Sequence, residues 1–214
     1  MGTEKTETAT VKATMITWNT TRLGALALIA PLVLGASHLD TSLKLQPPSK
    51  VWISGTSTVQ SFDCAAKTYD LQVNATGTAP VAAVLESQKA VSSVALRIPA
   101  RQLDCRNGTM NEHMLKALKA DQHANITFNV ASYELIRGSA GPRARLSGTL
   151  SMGGRSKSVV VEADVRDGGN GVLRVQGNHE ITMSEYGLKR PSLMLGTMKV
   201  GDRVTVHFDL YLKA

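Results

Sequence analysis

The sequence predicts a mainly β protein, an antiparallel sheet that closes on itself and carries one helix. Several segments alternate apolar and polar residues, which is the pattern of strands that bury one face. Glycine-rich stretches separate these segments and are typical of turns. A single segment has the spacing of an amphipathic helix. These observations favour a barrel of about eight strands, although a β-sandwich fits the same alternation.

The predicted strands follow one another along the chain with turns between them. They cover residues 51–55, 69–76, 91–99, 126–130, 145–152, 158–165, 172–182 and 204–212. The last strand is the clearest, because every second residue is apolar while His207 and Asp209 lie between them. Residues 78–90 fit either a short strand or a helical turn, and residues 184–199 are predicted to be a long connection.

The helix is predicted over residues 110–119, with Thr109 as its N-cap. Thr109 and Glu112 have the spacing of a capping box, in which each side chain bonds a free backbone N–H of the first turn. Met110 and every fourth residue after it form an apolar stripe. The next strand, near Ile126, follows almost at once. We therefore expect the helix at an end or flank of the barrel, where its movement would admit a ligand.

The first 37 residues are predicted to be a signal peptide. Residues 23–36 form an uncharged apolar run that follows Arg22, and this run is too short and too interrupted for a comfortable membrane span. Small residues precede a cleavage site after Ser37, and Met15 offers an alternative start. A membrane anchor that stays uncleaved is the other interpretation.

The predicted signal peptide implies an exported protein, in the periplasm or outside the cell. Residues 38–48 are polar and end in Pro47-Pro48, so we predict a linker there. One globular domain is then expected over residues 49–214. A hydrophobic content of 43% suits such a domain, and an aromatic content of 4% means that aliphatic residues and methionine must line any cavity.

The charge pattern bears on the choice of partner. The chain has a formal net charge of +7, and the part after Ser37 keeps +6 from 21 basic and 15 acidic residues. The basic residues are scattered singly without an aromatic stacking platform, so we expect no nucleic-acid binding. A transient contact with anionic membrane surfaces fits the charge, as does a simply solvated basic surface.

Cys64 and Cys105 both lie in the part that would be exported. An even number of cysteines in an oxidising compartment favours one disulfide between them. A redox pair and a metal site are the alternatives, but the chain has no C-x-x-C motif and no histidine at ligand spacing from either cysteine.

Sequence motifs for catalysis are lacking. No nucleophile elbow, phosphate loop, zinc-protease motif or paired-carboxylate signature is present. The segment at residues 153–157 resembles a phosphate loop only superficially and fits a hairpin turn. The five histidines have no standard metal spacing and are interpreted as structural or surface residues. We expect neither enzymatic activity nor a bound metal.

Several motifs in this order resemble the YceI-like family of lipid-binding proteins. A His-Met-Leu-Lys element at residues 113–116 precedes Ile-Thr-Phe at residues 126–128. The segment at residues 148–159 is close to the family pattern G-x-L-x-x-x-G-x-T-K-x-V, and ITMSEYG at residues 181–187 precedes VGDRV at residues 200–204. The resemblance covers roughly residues 51–212. Two positions depart from the family pattern: His123-Ala124-Asn125 replaces its Tyr-Pro, and Ser156 replaces its threonine.

The resemblance implies a lipocalin-like barrel with a long internal channel, and it decides against the β-sandwich. It also implies a soluble periplasmic carrier that encloses a polyisoprenoid or a similar long-chain amphiphile. A quinone-type lipid is a further ligand of this kind. No separate cofactor is expected.

Seven apolar side chains are predicted to face the barrel interior or its mouth and to contact the ligand. They are Met114, Leu118, Phe128, Leu150, Met152, Val206 and Phe208. The strand residues belong to the face that lacks charged side chains, and the first two belong to the apolar stripe of the helix. The alternatives are a secreted β protein with a filled core and an interaction role, or a thiol-redox protein that uses Cys64 and Cys105. The oligomeric state is left open.

Overall fold

The computed structural model describes residues 40–139, 141–193 and 198–214. The predicted signal peptide and its cleavage site lie outside the described residues. Within the described residues, eleven strands and two α-helices occur. The strands are β1 (Asp40–Ser57), β2 (Ser61–Ala66), β3 (Asp70–Thr76), β4 (Val91–Pro99), β5 (Leu103–Asp104), β6 (Asn125–Gly138), β7 (Gly141–Met152), β8 (Arg155–Asp167), β9 (Val172–Thr182), β10 (Ser192–Leu193) and β11 (Met198–Lys213). The helices are α1 (Pro80–Leu85) and α2 (Gly108–Ala117), and short 3-10 turns lie at Ala100–Gln102 and Met183–Tyr186.

Eight of the strands form a closed antiparallel barrel. Their order is β11-β9-β8-β7-β6-β4-β3-β1, and β1 pairs with β11 to close the ring. The short strands β2 and β5 extend the sheet from β1, and β10 pairs with β11. The predicted mainly β, lipocalin-like barrel is thus confirmed. Closure gives every barrel strand a paired neighbour on both sides over at least part of its length.

The predicted linker is wrong from Asp40 onward, because residues 40–48 belong to β1. The residues from Asp40 to Leu43 pair with β3, and the next three pair with the end of β11. Pro47 and Pro48 lie where the β1–β11 pairing shifts register, between Gln46 and Lys50. Proline lacks the N–H that a ladder needs, so such an irregularity is where a strand accommodates it. Leu43 is buried, which ties this segment to the core.

The helix α2 is confirmed as an element, but its predicted cap is wrong. Asn107 is the N-cap, and its side-chain oxygen accepts a hydrogen bond from the Met110 N–H at 3.0 Å. Thr109 therefore lies inside the first turn and forms no capping box with Glu112. Asparagine is as good a cap as threonine, and here the earlier of two suitable residues is used. The helix ends at Ala117 instead of residue 119.

The two helices lie at opposite ends of the barrel. Helix α1 occupies the segment that sequence left undecided, with Pro80 in its first turn. It contacts β7, β8 and β9 and buries Val81 and Val84. At the other end, Ala117 and Leu118 join a core cluster with Met152.

The three phenylalanines of the chain each lie against a strand glycine. A Cβ atom on Gly55 would lie 2.5 Å from the Phe62 ring, and one on Gly177 would lie 2.6 Å from the Phe208 ring. Gly148 has the same relation to Phe128, at 2.9 Å. Such pairs of small and large residues let aromatic rings fit inside a narrow barrel.

Candidate functional site, an apolar tunnel through the barrel

The barrel encloses a cavity of about 450 Å³, which we call the tunnel. All eight barrel strands contribute inward-facing side chains to its wall, and Val84 of α1 and Met114 of α2 line its two ends. The lining residues on β11 run from Val200 to Leu212. Twelve steps of about 3.3 Å on a strand tilted by about 40° span roughly 30 Å along the barrel axis. The cavity is therefore long and narrow and not a rounded pocket.

All seven predicted interior residues line the tunnel. Met114 and Leu118 come from α2 and its C-terminal end, and the strands β6, β7 and β11 supply the other five: Phe128, Leu150, Met152, Val206 and Phe208. That they contact a bound ligand stays a prediction.

The polar side chains of β11 interact with its neighbours β1 and β9, and this explains why the sequence predicted the inward face of β11 correctly. Asp209 accepts two hydrogen bonds from the Arg174 guanidinium, at 2.8 and 2.9 Å, and this contact lowers the pKa of the Asp209 carboxyl. His207 stacks on Trp52 at 4.9 Å between ring centroids, and its Nε2 lies 2.8 Å from Ser54 Oγ. These groups satisfy one another on the face opposite the tunnel, which leaves only apolar residues of β11 facing inward.

The tunnel opens at the α2 end. Among its lining residues in the described chain, only Gln60, Asn107 and Thr109 are solvent-exposed, and all three lie there. At the α1 end, every lining residue is buried or half-buried. We call this opening the mouth and define it by Ser57, Gln60, Asn107, Thr109, His113 and Pro191. Five of these six mouth residues are polar, whereas the rest of the tunnel wall is almost entirely apolar.

A disulfide fixes one side of the mouth. Cys64 of β2 is bonded to Cys105, which confirms the predicted bridge, and both residues line the tunnel. The Cys105 N–H donates to the Asn111 side chain at 2.8 Å, and that side chain donates to Asp104 at 2.9 Å. The Asn111 contact, with Lys67 at 2.9 Å, lowers the pKa of Asp104 to about 2. The segment that leads into α2 is thereby tied to the barrel wall.

His179 is an interior residue that the sequence analysis missed. The inward positions of β9 include Leu173, Val175 and Ile181, and His179 shares their phase and lines the tunnel. Among the described residues its side chain has no hydrogen-bond partner. Burial lowers the pKa of His179, because an apolar environment disfavours the charged imidazole. The alternation along β9 carried this signal, but a histidine was not expected in an apolar phase.

Metal and membrane-spanning features are lacking in the part of the chain that the structure describes. No group of three or more His, Cys, Asp or Glu side chains is placed to hold a metal ion there. Within the same residues, no helix is long and apolar enough to span a bilayer.

Solved structures share this fold. BcnA from Burkholderia cenocepacia is similar with a TM-score of 0.60 and 20% identity, over 76% of this chain and 95% of that one. A polyisoprenoid binding domain from Saccharophagus degradans, implicated in plant cell wall breakdown, has a TM-score of 0.56 and 15% identity, over 83% and 99% of the two chains. The Campylobacter jejuni YCEI protein has a TM-score of 0.52 and 19% identity, over 69% and 82%. A search of curated proteins found no match.

The family model of the YceI-like domain matches residues 51–212, which is most of the chain. That range begins within β1 and ends near the last residue of β11, so it includes nearly the whole barrel. The chain belongs to the YceI-like domain family.

Proposed function

We propose that this protein is a carrier that encloses a polyisoprenoid or a similar long-chain amphiphile in the tunnel. The single observation that carries the proposal is an apolar tunnel that runs the length of the barrel and opens at one polar mouth. Each CH2 group that leaves water contributes about 0.8 kcal/mol, so a long chain gains affinity along its whole length. Such binding needs no catalytic group.

The shape of the tunnel favours a linear ligand. A volume of about 450 Å³ spread along the barrel suits an extended chain better than a fused-ring lipid. The polar mouth suits a head group, which would keep its contact with water while the tail is enclosed. The similar domain from Saccharophagus degradans is described as polyisoprenoid binding, which supports the same ligand class here.

The proposed compartment is the periplasm or the extracellular space. The disulfide supports it, since such bridges persist in oxidising compartments. Sequencing the N-terminus of protein recovered outside the inner membrane tests this part, because we expect chains that begin near residue 38. Chains that still begin at Met1 or Met15 would contradict cleavage.

Native mass spectrometry of the purified, folded protein tests the ligand. We expect a population heavier than the bare chain by the mass of one lipid, which organic extraction releases for identification. In a second measurement, the purified protein is incubated with a polyisoprenol, and it should then show one bound molecule. A bare mass under both conditions would refute the carrier and favour a barrel with an interaction role.

A further inference from the structure

We propose that the mouth end of the barrel docks on the surface of an anionic phospholipid bilayer, with the tunnel opening toward the membrane. The inference rests on the proposed function, because a carrier of an insoluble chain must take it up from a membrane. It adds a partner surface and an orientation. Two independent features of the mouth support it, one apolar and one charged.

The apolar feature is Val59, at the tip of the turn between β1 and β2. This residue is 65% exposed, and it lies between Ser57 and Gln60, which line the mouth. The turn is closed by a hydrogen bond from the Ser57 N–H to the Gln60 carbonyl at 2.8 Å. The Ser57 hydroxyl also accepts from the Gln60 N–H at 3.1 Å. The turn therefore holds an aliphatic side chain in solvent, beside the opening of an apolar tunnel.

The charged feature is a set of exposed cations beside the mouth. Arg106 precedes Asn107 and Arg190 precedes Pro191. Lys199 is tied to the turn, because its carbonyl accepts from the Thr58 N–H at 3.0 Å and its N–H donates to Thr58 Oγ1 at 3.2 Å. Within the described residues, none of the three cations forms an ion pair. Cations next to an apolar tip are the composition that anionic lipid surfaces attract.

Among the described residues, no acidic side chain near the mouth forms an ion pair with Arg106 or Lys199, whereas Arg190 lies near Asp202. Asp104 is held by Lys67 at 2.9 Å, and Asp202 accepts from the Ser184 hydroxyl, with Arg190 and Arg203 nearby. Asp63 alternates with the tunnel-lining residues of β2, so it lies on the opposite face. Glu112 is exposed on α2 three residues after Thr109, and it forms no ion pair within the described residues.

The α1 end of the barrel provides matched controls. Ile136 there is 52% exposed, which is comparable with Val59, but the tunnel has no exposed lining residue at that end. Arg137 and Arg166 are exposed cations near the same end. Substitutions at this end change hydrophobicity and net charge as much as those at the mouth. A difference in vesicle binding between the two sets would therefore come from the position of the substituted residues.

The test is co-sedimentation of the full folded protein with vesicles of phosphatidylcholine alone or mixed with phosphatidylglycerol. We expect wild-type protein to bind the mixed vesicles more strongly. V59D and the double variant R106E/K199E should lose that binding, by about fivefold or more for each cation removed. I136D and R137E/R166E should bind like wild type.

Native mass spectrometry of the same variants, loaded with a polyisoprenol in detergent, separates docking from carriage. Full lipid occupancy in V59D and R106E/K199E, together with lost vesicle binding, is the expected result. Equal binding to both vesicle types, or equal losses from mouth and α1-end variants, would overturn the docking proposal and leave carriage standing. If wild-type protein binds no polyisoprenol in this experiment, the result would instead contradict the carrier function.

Discussion

Single residues decide how much room the tunnel has. Gly177 faces Phe208 across the β9–β11 pairing, and the absence of a side chain lets the ring stand in the tunnel wall. His179 lies two residues further along the same inward face and is the polar exception in it. Alternation along β9 predicts that both positions face inward, but it does not predict a glycine or a histidine there. The pairing of β9 with β11 explains the glycine, because it places Gly177 beside the Phe208 ring.

G177A should lower the free energy of unfolding by about 1–3 kcal/mol, because the added methyl group overpacks the wall. It would lie 2.6 Å from the Phe208 ring and 2.5 Å from the Glu162 carbonyl, so backbone must move. G108A is the control, since a Cβ there meets nothing within 4 Å. Urea denaturation measures both. Equal stability of G177A and wild type would contradict this account of the glycine.

His179 should make stability depend on pH in a defined window. Burial lowers the pKa of His179 in the folded protein below its ordinary value of 6.5. As pH falls below about 6.5, the unfolded chain binds the proton more readily, so the free energy of unfolding decreases. H179L should remove this contribution and flatten the slope between pH 7 and pH 5. N178L, on the outward face of β9, should keep the wild-type slope. An unchanged slope in H179L would show that His179 does not cause this pH dependence.

At the scale of elements, the sequence predicted what depends on local pattern. The strand β4 has the predicted bounds, and β11 and β7 have the predicted inward faces. Residues 40–48 of β1 were predicted to be a linker because Pro47-Pro48 is typical of a break, whereas residues 51–55 were correctly predicted as a strand. The register shift against β11 accommodates the two prolines. The strand β2 was missed because it is a short extension paired to β1, with weak alternation of its own.

The disulfide should matter most for the elements around the mouth. Its loop spans a sequence separation of 41, for which the chain-entropy model gives a contribution on the order of 4 kcal/mol. C64S/C105S should therefore unfold at lower urea and lose lipid faster, since the segment leading into α2 is released. Thiol labelling of native wild-type protein should find no reactive cysteine. Two labelled thiols would favour the redox alternative.

At the scale of the whole molecule, alternation could predict a closed sheet but not its contents. A filled core and an open tunnel both require apolar inward residues, so the strand pattern is the same for each. The family resemblance pointed to the channel, and the structure has a tunnel that reaches both helices. The mouth was not predictable, because Ser57, Asn107 and Pro191 come from three distant segments. The disulfide and the β1–β11 pairing bring these segments together.

The most direct test of the central claim is lipid occupancy in a protein whose tunnel is filled. F128W and M152W enlarge side chains that line the tunnel, whereas V160W enlarges an exposed residue on the outer face of β8. After circular dichroism has shown that all three fold, native mass spectrometry measures the fraction of chains with bound polyisoprenol. We expect F128W and M152W to lose most of their lipid while V160W keeps the wild-type amount. Full occupancy in a folded F128W or M152W protein would show that the lipid does not lie in the tunnel.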